Sequence, residues 1–149
     1  MSYVKTVLQP SETLLCTTRL HWFIYLPGLF LLVLAAGAAL LVDLPRLALL
    51  GVAALVALVG LFRLIGEGVR RASTELAVTD HRIIYKTGFL SRHTAEMNRN
   101  KVESVDVEQS ITGRIFGYGT IVLRGIGGTF EPIRNIADPL NFRSHITAA

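Results

Sequence analysis

The chain has 149 residues, 51% of them hydrophobic, a mean hydropathy of +0.48 and a formal charge of +4. Its single cysteine, Cys16, excludes an intrachain disulfide and any multi-cysteine metal site. From Ser73 onward nine basic residues meet eight acidic ones, which argues against a nucleic-acid surface; the basic excess belongs to the flanks of the apolar segments.

The segment 1–21 is polar to mixed, and Gln9-Pro10-Ser11-Glu12 reads as a turn. Thr13 to Leu20 mixes β-branched residues with leucine. It fits either a short strand or a direct run into the following helix. As a strand it would join the domain formed by the other end of the chain.

Trp22 to Val42 contains no charged residue, Asp43-Leu44-Pro45-Arg46 interrupts, and a second apolar run spans 47–65, with Arg63 near its end. At 1.5 Å per residue the runs reach roughly 31 and 28 Å, enough to cross a bilayer core as helices. Neither alternates as a barrel strand must. Trp22, Phe23 and Tyr25 suit an interfacial aromatic belt, and Pro27 falls in the first turns, where its missing N–H costs least. Glycine and alanine are frequent in both runs and permit close helix approach. No charged residue lies between Trp22 and Phe62 outside the turn, which argues against a transporter, proton path or channel. Lys5 and Arg19 precede the first run, and Arg63, Arg70 and Arg71 follow the second. Basic flanks stay inside, so both termini are expected to be cytoplasmic. A cleaved signal peptide ending near Ala36-Gly37-Ala38 is the competing reading; the long polar segment before the run and the second span after it argue against that.

Residues 66–72 form a juxtamembrane connector in which Arg70 and Arg71 can meet lipid phosphates, or simply enforce topology. After Ser73 the period changes to two. Leu76 and Val78, a Thr79-Asp80 turn, then Ile83 and Tyr85 read as a hairpin. Ser91–Met97 is a polar strand, Asn98–Asn100 a turn, and Val102–Gln109 a strand whose out-of-phase Val102 marks a bulge. Ser110 caps a helical turn through Phe116, and Ile121 and Leu123 alternate in a further strand. A last strand over 129–136 is broken by Pro132. Asp138-Pro139 starts a C-terminal helix with Phe142 and Ile146 on one face. The expected core of this part is Ile83, Tyr85, Val105, Val107, Ile121, Leu123 and Phe142.

Two blocks carry a resemblance: Thr79-Asp80-His81-Arg82-Ile83-Ile84 with Thr87-Gly88-Phe89-Leu90-Ser91-Arg92, and Val102 to Ser110 running into Arg114-Ile115-Phe116-Gly117-Tyr118-Gly119-Thr120-Ile121. Together they resemble the bacterial pleckstrin-homology (PH) family of small membrane proteins, the YdbS-like group, over Thr74 to about Ile146. The resemblance implies an α+β membrane protein: a transmembrane helical hairpin (22–42 and 47–65), then a PH-like antiparallel β-barrel or sandwich over 73–149 with a C-terminal capping helix. The six strands read above fall short of the seven usual in that fold, so strands are merged or the N-terminal segment supplies one.

The resemblance supplies no catalytic residue, and none emerges from the sequence. His21, His81, His93 and His145 show no metal-ligand spacing, no serine sits in a nucleophile elbow, and no glycine motif fits a dinucleotide or phosphate loop. Glu103, Asp106 and Glu108 read as charges on the open face of a strand. The expectation is a binding or scaffold protein with no catalytic residues, cofactor or metal, placed as a multi-pass protein in a bacterial inner membrane. Its expected partners are the bilayer and either further copies of itself or other membrane subunits. Candidate lipid or partner contacts are Arg70, Arg71, Arg82, Lys86 and Arg92. The alternative is an anionic-lipid sensor that uses Arg82, Lys86 and Arg92.

The basic flanks predict that a cysteine placed at Asp43 or Arg46 is labelled by an impermeant reagent from outside intact cells. Labelling at Thr87 instead would reverse the orientation.

Overall fold

The computed structural model of the protein describes residues 7–10, 12–41, 46–126, 128–129 and 132–148. They fall into two units: one contains the described residues of 22–69, and the other joins those of 1–21 to those of 70–149.

The first unit is helical. Trp22–Tyr25 forms a 3₁₀ turn, followed by helix α1 (Leu26–Leu41) with Pro27 as its second residue. Helix α2 covers Arg46–Ser73. The Asp43-Leu44-Pro45 turn lies outside the described residues. Helix α2 does not stop near Ile65: it continues through the connector expected over 66–72, since two glycines cost a helix only about 1 kcal/mol each and no proline interrupts it. The helices meet where side chains are smallest. A Cβ on Gly28 would lie 2.9 Å from Leu64 Cγ, and one on Gly60 would lie 3.1 Å from Leu32 Cδ2 and 3.2 Å from the Gly28 carbonyl oxygen. Ala35 and Ala53 are also buried in this unit. Gly37 and Gly51 face open space. The small residues therefore divide into a set that packs the pair and a set that points away from it.

The second unit holds two four-stranded antiparallel sheets and two helices. One sheet has the order β1 (Leu14–Thr18), β2 (Glu75–Thr79), β3 (Arg82–Thr87), β4 (His93–Asn98). In the other, β6 (Tyr118–Gly125) pairs with β5 (Val102–Glu108), β7 (Gly128–Thr129) and β8 (Ile133–Ala137). Helix α3 (Ile111–Phe116) joins β5 to β6, and α4 (Pro139–Thr147) ends the chain. The last expected strand is thus two strands, one on each side of Pro132.

The N-terminal segment settles as a strand. Cys16 opposes Val78 and Thr18 opposes Leu76 in the β1–β2 ladder. Past Thr18 the same segment turns to β8: Leu20 bridges Ile136, His21 N–H donates to Asn135 O at 2.7 Å, and Ala137 N–H donates to Arg19 O at 3.0 Å. Residues 14–21 therefore stitch one sheet to the other, as strands at sheet corners do. Asn135 and Asp138 take positive φ beside this junction, a conformation that asparagine and aspartate tolerate.

One core draws on both sheets and α4: Leu76, Val78 and Ile83 meet Val105, Ile121, Leu123, Ile133, Ile136, Phe142 and Ile146. Tyr85 and Val107, expected inside, are half-buried against it. Strand β2 departs from simple alternation: all five residues are buried, including Ala77 and Thr79 on the supposed open face. It is a central strand, and Val7, Gln9 and Glu12 are tied by hydrogen bonds at its Thr79 end. The bulge expected at Val102 is present between Val102 and Ser104. Ser110 caps α3 by accepting from Gly113 N–H at 3.0 Å. Asp138 occupies the cap position of α4, but its side chain makes no capping bond; its left-handed backbone turns the carboxylate away from that role.

Candidate functional site

Among the surfaces of the second unit that can meet a ligand or partner, two bear on the candidate residues. The first is the end of the β1–β4 sheet where the chain departs after His21 and returns at Arg70. Its edge is set by register: Thr18 opposite Leu76, Glu75 opposite Lys86, and Thr87 opposite His93. Thr74 and Thr87 hydroxyls lie 3.4 Å apart here, and Arg71 Nε donates to Leu20 O at 3.0 Å. Arg19 lies 3.7 Å from the carboxylate of buried Glu75. A polar cavity of about 140 Å³ is lined by Arg70, Thr74, Thr87 and Arg134. Burial, and then the positive charge of Arg71, lower the pKa of His21, whose ring stacks on Tyr118 at 5.5 Å. Burial raises the Cys16 thiol pKa, and the charge of Asp138 adds to this, so that thiol is not an activated nucleophile.

The candidate cations separate into three places. Arg70 and Arg71 sit in the last turn of α2, and Lys86 is the penultimate residue of β3, all at this end. Arg92 is exposed in the β3–β4 turn. Arg82 lies at the opposite end of the sheet, and its guanidinium is spent inside the protein. Nε and Nη2 donate to the two oxygens of Glu12 at 2.9 Å each, Nη1 to Glu96 at 2.8 Å, and Nη2 also to Val7 O at 3.1 Å. Its side chain is only 16% exposed and that of Glu12 3%. Arg82 does not extend the cationic surface of Lys86 and Arg92; it ties the N-terminal segment to the β2–β3 turn.

Glu12 had no visible role in the sequence beyond a turn, because its partner lies 70 residues away. Besides Arg82 it accepts from Thr79 Oγ1 at 2.7 Å and Gln9 N–H at 3.2 Å. The Arg82 hydrogen bonds are the main reason that its carboxyl falls from the ordinary 4.5 to about 2. The clasp continues through Asp80, which accepts from Thr13 N–H at 3.1 Å. The His81 side chain beside it, at 2.8 Å, is the leading cause of the lowered Asp80 pKa.

The second region is a groove of about 700 Å³ between α4 and β5, lined by Asn100, Glu103, Ser104, Asp106, Arg143 and Thr147 among others. Arg99 on its wall is committed to the carbonyls of His145, Ile146 and Ala148, where it caps α4. Asp106 pairs with Arg124 at 3.1 Å. Among the described residues no three metal-ligating side chains gather. The arrangement offers polar contacts and a strand edge, which suit binding.

A protein-family model described as "Bacterial PH domain" matches residues 23–149. No curated protein and no solved structure matches.

The clasp carries a pH signature. A carboxyl held at about 2 contributes stability that is complete above its ordinary 4.5 and is lost as pH falls through 2. Arg82→Gln should return Glu12 toward its ordinary value, flatten the pH dependence of unfolding in that window, and cost about 1–3 kcal/mol at neutral pH. Denaturation of the detergent-solubilised chain at a series of pH values checks this. An unchanged acid limb in the variant would show that the pair does not carry it.

Proposed function

This chain belongs to the bacterial PH-domain family, and from that premise we propose that it is a membrane-anchored, non-catalytic binding protein that assembles, either with its own copies or as a subunit of a larger membrane complex. PH domains are generally binding modules, and this one is read as a PH-like barrel closed at one corner by residues 14–21 and covered by α4.

The single observation that carries the membrane part is the outer surface of the helical unit. Segments of 19 and 25 residues are long and apolar enough to cross a bilayer. Phe30 is 66% exposed, Leu40 85% and Phe62 72% on that unit. An apolar surface this extensive requires lipid or protein around it. With basic residues on both flanks, the two termini and the PH-like domain are read as cytoplasmic. Since 22–42 and 47–62 carry no charged residue, the helices are read as anchors that do not conduct.

The assembly part is supported by surfaces left over after the fold is complete. Gly37 and Gly51 point away from their own helix pair, and close packing of small residues is what drives association in lipid. Strand β4 ends one sheet and β5 ends the other, so each presents an edge to which a further chain can add. The alternative, a sensor of anionic headgroups through Arg82, Lys86 and Arg92, loses its first member to the Glu12 clasp.

The mass of the full chain purified in mild detergent tests this reading. The expected particle contains several 16.3 kDa copies or identifiable co-purifying chains. A monomer that binds anionic vesicles with steep salt sensitivity would decide for the headgroup sensor.

A further inference from the structure

The β3–β4 turn combines features that the fold itself does not need. It spans Gly88-Phe89-Leu90-Ser91-Arg92, between Thr87 and its ladder partner His93. Gly88 has φ +94°, and a Cβ there would lie 2.0 Å from Ser91 O, so only glycine permits a turn this tight. The consequence is that the next two side chains are thrown outward: Phe89 is 72% exposed and Leu90 98%. Neither joins the core. Two adjacent large apolar side chains on an exposed tip, outside any core, are costly in water unless something covers them.

The surroundings of the tip indicate what covers it. The turn projects from the end of the sheet at which the chain leaves after His21 and returns at Arg70; Thr74, just past the returning helix, hydrogen-bonds Thr87 at the base of the turn. Among the described residues of this unit, this end carries Arg19, Arg70, Arg71, Lys86, Arg92 and Arg134, with Glu75 buried beside Arg19 and opposite Lys86 in the ladder. An apolar tip at a cationic end of the domain matches a bilayer interface: acyl chains for Phe89 and Leu90, anionic phosphates for the cations. The opposite end of the sheet has a different character: Arg82 is neutralised by Glu12 and Glu96, and Asp80 lies beside His81.

We infer that Phe89 and Leu90 insert into the cytoplasmic headgroup layer of the membrane that the hairpin spans, and that the surrounding cations seat this end of the PH-like domain on anionic lipid. The inference rests on the membrane reading proposed above. In a headgroup layer phenylalanine and leucine gain from partial burial while lysine and arginine remain at the phosphates. The role is positional: a third contact, besides the two helix crossings, fixes which face of the domain looks into the cytoplasm.

Site-directed fluorescence on the full chain tests this. Single cysteines at Leu90, His81 and Leu58 in a Cys16→Ser background are labelled with bimane. The protein is reconstituted in phosphatidylglycerol-containing nanodiscs carrying nitroxide lipids, with the spin label either near the glycerol or deep in the acyl chain. The expected result is blue-shifted emission and shallow-label quenching at position 90, neither at position 81, and deep-label quenching at position 58. Position 90 behaving like position 81 while position 58 is quenched would overturn the insertion and leave the membrane reading standing. A blue shift at 90 without quenching would mean that protein covers the tip, which also overturns it. No quenching at position 58 would remove the membrane reading, and the insertion with it.

Discussion

The structure depends on a pairing between strands that the sequence keeps far apart. Strand β1 ends before the helices begin, and β2 starts after they finish, yet Thr17 Oγ1 reaches Leu76 O, 59 residues further on. The same segment then crosses to β8, where Thr18 Oγ1 donates to Ala137 O at 2.7 Å. Without residues 14–21 the first sheet would lose its edge strand and the two sheets would lose a shared corner. The Glu12–Arg82 clasp strengthens this join from the far side. Two hydrogen bonds between charged partners of low exposure contribute most when the join is made, and leave a buried charge unpaired when it is broken.

An insertion of this size between neighbouring strands is tolerated because it folds back on itself. Loop closure normally costs entropy that rises slowly with length. Here most of the loop is regular helix, and Tyr25 at its start lies beside Gly68 near its end. The sheet side is equally tight: Arg71 bonds the carbonyl of Leu20. The helical pair is in turn held by the approach of Gly28 to Gly60, where a side chain on either residue would meet the other helix at or near the contact limit. Each unit thus keeps its own ends together. The proposed division of labour, in which helices anchor and sheets bind, uses this arrangement directly.

Local patterns were legible in the sequence. The change of period at Ser73, the Thr79-Asp80 turn, the bulge at Val102, the Ser110 cap and the shared face of Phe142 and Ile146 are each determined by residues within a turn or a strand of one another. What could not be read there depends on distance. Whether 13–20 was strand or helix start depended on β2 and β8, more than 50 residues away. The burial of Ala77 and Thr79 is something that an alternating pattern does not reveal. Arg82 looked like one cation of a patch because Glu12 lay too far along the chain to be recognised as its partner. Phe89 and Leu90 stood inside the motif that carried the family resemblance, yet only their exposure and their position at the sheet end distinguish them from core residues.

The claim on which all of this rests is that the β1 segment is part of the sheet domain, and it can be measured without a membrane. One chain would join residues 7–21 directly to 71–149 through a short glycine–serine linker, replacing the helices; the other would be 73–149 alone. The account predicts that the joined chain unfolds cooperatively, with strand-rich circular dichroism and slow amide exchange in residues 14–18 and 75–79. It predicts that 73–149 alone shows neither cooperativity nor such protection. A stable, cooperatively folded 73–149 fragment, no less protected in 75–79 than the joined chain, would contradict it.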